Sequence, residues 1–536
     1  MNRKNSFWKF LAAGLLLIVL LLVFPFISNF SFSGFQVLRA NENLFGNTLV
    51  RTILFAVVSG FVLALFGFWG AILLAKVPAF SKVGKTLSVL ILPVTLGNIS
   101  IAFISKLLIG DSAFFAGIIE KGVISKLGFL LLLQLWQFGL LFIYLFWMQF
   151  QSIPANRLDY AVANRFSFFH TIKDIYLPHT KNLWILMAAL GMVFSLYEES
   201  KIQYLFKASQ GTNSELITNW LGRNYQSSLL VNPSYATKLT FQSGWVVFLM
   251  AVLSLATLYL LISAIFKLSA KSKLYPVKQN KTIRNTKPLL GTVWGVLLIG
   301  LVLVPLIASL LSVKYNFSAE TFALGFPLLM AFIAAVFASV VAVFFGVGAR
   351  LGWKQTLSSF NNRSLFFFIL IFLVLLIPPV VILISGYKWM ALLGYTSLPV
   401  IYTIWILGHV LLSLPVLGSF VLFNHFRVSN NELNYLSVYQ LSKRELLQNS
   451  FIKRFRAEYL LLFIIGFSFI WNEAILNNLF SDYIPSFVSG LKMLITGRGA
   501  DYSKAFGYLL VSLGLAISAV AVWRYIIQRA EKWSLK

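Results

Sequence analysis

Long apolar segments recur along the chain and constrain its fold more than any other feature. A helix needs about 20 residues to cross about 30 Å of hydrocarbon, and we count about twelve segments near this length. Those of the first half lie at about 10–27, 48–74, 87–108, 127–146, 183–197 and 245–266. Those of the second lie at about 289–311, 324–345, 365–384, 398–422, 459–471 and 507–523. They lack the alternation of barrel strands, so we predict an all-α polytopic membrane protein with about twelve transmembrane helices.

Composition supports lipid as the solvent for most of the chain. Hydrophobic residues make up 59% and charged residues 11%, whereas soluble domains have roughly 25% charged residues. The chain has no cysteine, which excludes disulfides, thiolate metal sites and cysteine nucleophiles. The composition therefore argues against a soluble globular protein.

The net charge of +28 is explained by membrane topology. If the N-terminus is cytoplasmic, most Lys and Arg residues fall on the cytoplasmic side, as the positive-inside bias requires. The densest basic run, from Lys267 to Lys287, lies between the sixth and seventh segments. We predict a cytoplasmic linker at 271–288 that faces anionic lipid, with no nucleic-acid partner. An even number of spans places both termini in the cytoplasm.

Residues 150–200 match residues 425–475 at one constant offset of 275 positions. Asp159-Tyr160 falls on Asn434-Tyr435, Ser167 on Ser442, and Glu198 on Glu473. This spacing predicts a duplicated six-helix unit. We therefore divide the chain into a first half, 1–270, the linker and a second half, 289–536.

The fifth apolar segment of each half is short and ends beside a glutamate. Short segments at matching positions of a repeat indicate a central substrate site, because protein or water surrounds them. An ionisable group at membrane depth is costly unless it faces a cavity. A location of both glutamates at the outer interface remains the alternative. We predict a substrate pathway lined by Tyr197, Glu198, Trp471, Asn472 and Glu473.

The loop after the fourth segment carries a recognisable pattern. It contains Ile153-Pro154, then Asp159-Tyr-Ala-Val-Ala-Asn-Arg-Phe-Ser167, and closes with Leu177-Pro178. This resembles the EAA loop of ABC importer permeases, which runs roughly Ile-Pro, Glu-Ala-Ala, Gly-Ala-Ser, Leu-Pro. The resemblance implies a type I permease whose loop docks into a cleft on a cytoplasmic ATPase. The residues carried over are Asp159, Tyr160, Ala161, Arg165, Ser167 and Pro178.

Two departures from the family pattern stand out. Arg165 occupies the usual glycine place, where a bulkier residue would crowd a close contact or supply a charge for an acidic partner. The second loop keeps the register but lacks the acid and the glycine, and Lys453 replaces the proline. We expect unequal contacts with the ATPases, the second made through Asn434, Tyr435, Gln440 and Ser442.

The end of the chain adds a second resemblance. Phe469-Ile-Trp-Asn-Glu473 and Gly497-Arg-Gly-Ala-Asp501 are similar to the last part of carbohydrate-type permeases, whereas fused permeases of this length are familiar from thiamine and ferric-iron importers. The resemblance implies two cytoplasmic ABC ATPase subunits, an extracytoplasmic substrate-binding protein and a location in the bacterial cytoplasmic (inner) membrane. A sugar is favoured over thiamine, ferric iron or a polyamine as the solute.

Enzyme chemistry is poorly supported. The four histidines, His170, His179, His409 and His425, show no zinc-type spacing. A relaxed phosphate-loop pattern at 79–86 joins two apolar segments rather than a strand and a helix, so ATP hydrolysis would take place on partner subunits. We expect no catalytic residue, cofactor or metal. The main rival function is an ion-coupled secondary transporter, which also uses repeated units.

Overall fold

The computed structural model describes most of the predicted apolar segments. The described residues are 42–79, 81–110, 126–196, 289–312, 325–351, 397–425, 448–473 and 502–534, with positions 198, 201, 216, 445, 476, 477, 480 and 484. Within these residues the chain is built from helices and turns and contains no strand. The predicted all-helical class is therefore confirmed for this part of the chain.

The helices of the first half begin at residue 42 in the described chain. They are α1 Glu42–Leu74, α2 Lys82–Thr86, α3 Leu92–Gly110, α4 Lys126–Gln134, α5 Leu140–Phe150, α6 Ala155–Ala163, α7 Phe168–Thr171 and α8 Leu177–Leu196. A 3₁₀ turn, Leu87–Ile91, joins α2 to α3. Single π-helical turns join α4 to α5 and α7 to α8, at Leu135–Gly139 and Ile172–Tyr176.

The described helices of the second half are also mostly long and apolar. They are α9 Leu289–Ser312, α10 Gly325–Leu351, α11 Leu398–His425, α12 Arg456–Trp471 and α13 Tyr502–Ser534. A further π-helical turn, Gln448–Ile452, precedes α12.

Seven helical stretches among the described residues are long and apolar enough to cross a membrane. Each lies where the sequence predicts a span, which supports a multi-pass membrane protein. They are Asn47–Leu74, Lys82–Leu108, Lys126–Phe150, Leu289–Leu311, Gly325–Arg350, Leu398–Leu422 and Phe506–Arg529. The predicted spans at 10–27, 245–266 and 365–384, and the linker at 271–288, lie outside the described residues.

The two short fifth segments are also helical. The apolar part of α8 follows a polar first turn, Leu177-Pro-His-Thr-Lys-Asn, and α12 has only 16 residues. A helix of 16 residues is about 24 Å long at 1.5 Å per residue, which is less than the hydrocarbon core. Neither helix is among the seven stretches of membrane-spanning length and hydropathy.

One compact unit contains, among the described residues, 54–79, 81–110, 126–196, 289–312 and 510–534. Helix α9, from the second half of the sequence, packs here against α3 and its preceding 3₁₀ turn. Indole N–H groups join the helices, with Trp294 Nε1 donating to Gly70 O over 3.1 Å. Trp523 Nε1 of α13 donates to the Tyr144 hydroxyl over 2.9 Å.

The other unit contains, among the described residues, 42–53, 325–351, 397–425, 448–473 and 502–509, with positions 198, 201, 216, 445, 476, 477, 480 and 484. Helix α10 packs against α11 and α12. Val347, Phe451 and Phe455 form an apolar core, and the His425 ring lies against Phe451 and Phe455. The His425 Nε2 atom is 2.7 Å from the Tyr459 hydroxyl.

Several structural features recur at the sequence offset of 275. Helices α5 and α11 end at Phe150 and His425, and helices α8 and α12 end at Leu196 and Trp471. The Phe150 ring contacts Tyr176 with centroids 4.7 Å apart. The equivalent rings, His425 and Phe451, are 4.9 Å apart. The offset of 275 therefore relates helix ends and one pair of ring contacts, in addition to residue identities.

Candidate functional sites

The loop between α5 and α8 forms a helix, a tight turn and a second helix. Pro154 has extended backbone, with φ −60° and ψ 137°, and α6 starts directly after it. Ala161 on α6 is buried, whereas Asp159 and Tyr160 are exposed. Helix α6 thus attaches to the protein through one face and leaves the other open.

Helix α6 ends in a left-handed turn at Arg165. The Phe166 N–H donates to Ala161 O over 2.9 Å and the Arg165 N–H donates to Val162 O over 3.1 Å. This pair of bonds is a Schellman C-cap, whose left-handed position usually holds glycine. The φ of Arg165 is 50°, a value uncommon for non-glycine residues. Arg165 therefore adopts the left-handed backbone conformation that glycine usually provides at this position, and its side chain is exposed.

Ser167 caps the helix that follows the turn. Its Oγ accepts a hydrogen bond from the His170 N–H over 3.3 Å, a common way to satisfy the first free donors of a helix. The helical path continues from α7 through the π turn into α8. This continuous helical path therefore begins at Phe168. Pro178 is exposed and lies near the start of α8, ten residues after the path begins.

Apolar side chains project from this loop into solvent. Each is more than half exposed, up to 72% for Phe169, although large apolar groups usually find cover. We call this set the coupling-loop face: Tyr160, Val162, Phe168 and Phe169.

The loop is fastened to the end of α5 by His179. The His179 Nε2 atom lies 3.1 Å from Ser152 Oγ and 3.4 Å from Gln149 Nε2. Burial lowers the pKa of His179, the positive charge of Arg157 lowers it further, and a hydrogen bond with Gln149 partly opposes these effects. A neutral imidazole is therefore favoured at this joint.

The corresponding residues of the second loop, Asn434, Tyr435, Gln440 and Ser442, lie outside the described residues. Their docking role stays a prediction from the sequence. The π turn at Gln448–Ile452 and helix α12 follow this loop, as the π turn at Ile172–Tyr176 and α8 follow the first.

The predicted pathway glutamate of the first half lies in a buried ion pair. Glu198 is 1% exposed, and its Oε2 atom lies 2.6 Å from the Lys201 Nζ atom. The Lys201 N–H donates to Glu198 Oε1 over 3.2 Å. A side-chain acceptor three residues before the donating N–H is the geometry of a helix N-cap. Tyr197 lies outside the described residues.

The glutamate of the second half makes the same backbone contact. The Glu473 Oε2 atom accepts a hydrogen bond from the Leu476 N–H over 2.8 Å. The same Oε2 atom accepts a second hydrogen bond from the Asn477 backbone N–H over 3.4 Å. Leu476 occupies the position 275 after Lys201. Each glutamate thus caps the helical segment after the fifth helix, where the positive end of the helix dipole favours a carboxylate.

The remaining predicted pathway residues are buried by protein. Trp471 Nε1 donates to Tyr508 O over 3.2 Å, and Asn472 Nδ2 donates to Ser468 O over 2.9 Å. Glu473 is 8% exposed, so neither glutamate is an exposed interfacial carboxylate. Their place along a pathway stays a prediction.

Two polar features were missed by sequence analysis. Helix α3 is broken at Gly97, with φ 76°, and the next residue, Asn98, accepts a hydrogen bond from Gln137 Nε2 over 3.0 Å. His409 lies beside Glu473. A glycine followed by asparagine within an apolar segment could have signalled the break, but no local pattern signals the His409 contact.

The relaxed phosphate-loop pattern has a structural explanation. Ser81 Oγ accepts from the Gly84 N–H over 3.0 Å and caps α2. A Cβ at Gly84 would lie 2.7 Å from Ala79 O, so glycine permits a close backbone approach. These contacts account for the serine and the glycine without a nucleotide.

Comparison of the chain with protein-family models, with curated proteins and with solved structures gives no match.

Proposed function

We propose that this chain is the transmembrane permease of an ABC importer, powered by separate ATPase subunits. The observation that carries the proposal is the left-handed turn at Arg165. It falls at the position where the EAA pattern has glycine, between a helix that bears Asp159 and a helix capped by Ser167. A match in backbone conformation adds to the match in residue spacing.

The exposed coupling-loop face suits a protein partner. A rigid helix–turn–helix with solvent-facing aromatic rings can transmit a displacement, because its end is fixed to the protein by buried Ile172 and Ile175. An ATPase cleft that covered Phe168 and Phe169 would remove apolar surface from water, which favours association. The exposed charges of Asp159 and Arg165 would select a complementary rim.

The larger architecture belongs to the same proposal. Twelve transmembrane helices would form two six-helix repeats of the type I importer kind, and the recurrence of helix ends and ring pairs at the offset of 275 supports this duplication. The packing of α9 with α3 in one unit fits intertwined halves, because α9 would be the first helix of the second repeat. Two ATPases, an extracytoplasmic binding protein and a location in the bacterial cytoplasmic membrane complete the system, with a sugar as the favoured solute.

Co-purification with an ATPase tests the proposal. A tagged chain is isolated from its native membrane in mild detergent, and nucleotide-binding subunits are identified in the eluate. Phe168→Ser with Phe169→Ser should reduce their recovery at least tenfold. The matched control is Phe337→Ser, which changes a similarly exposed ring on α10 outside the loop. Full ATPase recovery with the double variant, or no ATPase with the natural chain, would overturn the assignment.

An ion-coupled secondary transporter is the second candidate. The observation that favours it is the buried Glu198–Lys201 pair, because buried ionisable groups serve as coupling sites in such carriers. Vesicles that contain this chain without ATPase subunits separate the two candidates. Solute accumulation driven by a proton or sodium gradient would favour the carrier, and accumulation that needs ATP and an ATPase would favour the importer.

A further inference from the structure

We propose that His409 and Glu473 form a buried proton-binding site, in which one proton is shared between the imidazole and the carboxylate. The inference does not depend on which transport mechanism the chain uses. His409 lies on α11 and is fully buried, and its Nε2 atom is 3.5 Å from Glu473 Oε2.

The Nδ1 atom of His409 must carry a hydrogen. It lies 2.9 Å from the Trp405 carbonyl oxygen, and a carbonyl oxygen can only accept a hydrogen bond. Rotation of the ring by half a turn would place a carbon against this oxygen. The ring is also held by Trp405, whose side chain stacks on it with centroids 4.1 Å apart. Trp405 is itself fixed, because its indole N–H donates to Asn477 Oδ1 over 3.2 Å.

With hydrogen on Nδ1, a neutral imidazole presents a lone pair at Nε2. This atom makes no hydrogen bond in the structure, and it faces a carboxylate that already accepts the Leu476 N–H. Two acceptors that face each other without a hydrogen are unfavourable, especially when both are shielded from water. One proton removes the conflict, either as imidazolium beside carboxylate or as neutral imidazole beside a carboxyl group.

The first half neutralises its equivalent glutamate in another way. Glu198 pairs with Lys201, and the position 275 residues later is Leu476, which has no charge. The position equivalent to His409 is Gln134, a neutral amide. Among the described residues, the first half therefore places a lysine beside its glutamate, whereas the second half places a histidine there.

Loss of that proton has a mechanical consequence. It leaves an imidazole lone pair against a carboxylate at the contact between α11 and the helical segment that Glu473 caps. The contact is therefore strongest while the proton is bound.

Nitrogen-15 NMR of histidine-labelled protein in lipid nanodiscs tests the site. The chain has four histidines, so the His409 signal is assigned by its loss in His409→Gln, which introduces the residue of the first half. His170→Gln, at an exposed position, is the matched control for assignment. Infrared spectra of the natural chain and of Glu473→Gln report whether the carboxyl group carries the proton.

At neutral pH we expect one of two signatures, and either supports the site. His409 has hydrogen on both nitrogens and loses the second in Glu473→Gln, or a carboxyl stretch is present and disappears in that variant. If His409→Gln does not fold, the spectra of the natural chain and Glu473→Gln remain sufficient. An Nδ1–H imidazole unchanged by Glu473→Gln, with no carboxyl stretch, would overturn the proposal. Hydrogen on Nε2 alone would also overturn it.

Discussion

Glu198 and Glu473 hold equivalent positions, and each carboxylate accepts a hydrogen bond from the backbone N–H three residues further along the chain. Both side chains are buried. The shared role is that of a helix cap, but the charge is balanced by Lys201 in one case and faces His409 in the other. Duplicated backbone geometry therefore supports two different electrostatic environments.

Removal of Lys201 should destabilise the protein more than removal of the whole ion pair. Lys201→Met removes the ammonium group that lies 2.6 Å from the buried Glu198 carboxylate, and breaking a buried ion pair in this way typically costs about 3–5 kcal/mol. Glu198→Gln with Lys201→Met removes both charges and should recover much of that loss. Thermal unfolding of the purified variants measures the difference. Lys173→Met, at an exposed loop position, is the control, and equal midpoints for the single and double variants would contradict the prediction.

Arg165→Gly should stabilise the coupling loop. The left-handed conformation costs a non-glycine residue roughly 1–2 kcal/mol, and glycine avoids this cost, although its greater freedom when unfolded offsets part of the gain. We expect slower hydrogen exchange at the amides of Arg165 and Phe166, which form the cap. Arg165→Val should have the opposite effect, because a branched side chain fits this conformation poorly. Faster exchange in the glycine variant would show that the turn does not carry this strain.

If the proposed function holds, reversal of the loop charges should weaken binding of the ATPase while the chain stays folded. Asp159→Lys with Arg165→Glu changes two exposed positions, so little loss of stability is expected. The variant places a positive charge at position 159 and a negative charge at position 165, so charges on the ATPase that complement the natural loop would instead repel it. Co-purified ATPase should fall several-fold, with the same amount of permease in the membrane. Normal ATP-driven transport by the double variant would count against docking through this loop.

Stability should fall as the pH is lowered through the range in which free histidine titrates, partly because of His179. Its pKa is lowered in the folded protein, by burial first and by Arg157 second. The stability that neutral His179 contributes is therefore fully present above the ordinary histidine pKa of about 6.5. It is lost as the pH falls, because protons then bind preferentially to the unfolded state. His179→Gln should reduce the acid-induced decrease in the unfolding temperature. His170→Gln, at an exposed position, should leave that decrease unchanged.

A side chain added at Gly191 of helix α8 should disrupt its packing against Gly60 of helix α1. A Cβ at Gly191 would lie 2.9 Å from the Gly60 Cα atom, and small residues allow membrane helices to approach in this way. Gly191→Ala should therefore destabilise by about 1–3 kcal/mol. Gly300→Ala is the control, because a Cβ there meets no atom of the described residues within 4 Å. Equal thermal stability of the two variants would refute the packing argument.

The location of the helices could be predicted from the sequence because hydrophobic length is a local property. A membrane-spanning segment can be recognised from its own length and hydropathy, without knowledge of the helices that pack against it. All seven stretches of spanning length among the described residues coincide with predicted segments. The turn and the cap in the loop between α5 and α8 also join residues close in sequence, so their local geometry depends little on distant parts of the chain. The capping roles of Glu198 and Glu473 could have been found locally as well, since each acceptor and donor are three residues apart.

The contacts between helices were decided only by the tertiary structure. His409 meets Glu473, and α9 packs with α3, across long stretches of sequence. In a membrane the apolar surface of a helix is satisfied equally by lipid and by another helix, so hydrophobic pattern does not specify partners. Close glycine contacts and buried hydrogen bonds make that choice, and they depend on groups that the sequence alone does not bring together. Sequence by itself thus determined a helical membrane chain with an exposed loop, whereas tertiary packing decided which buried charges face each other.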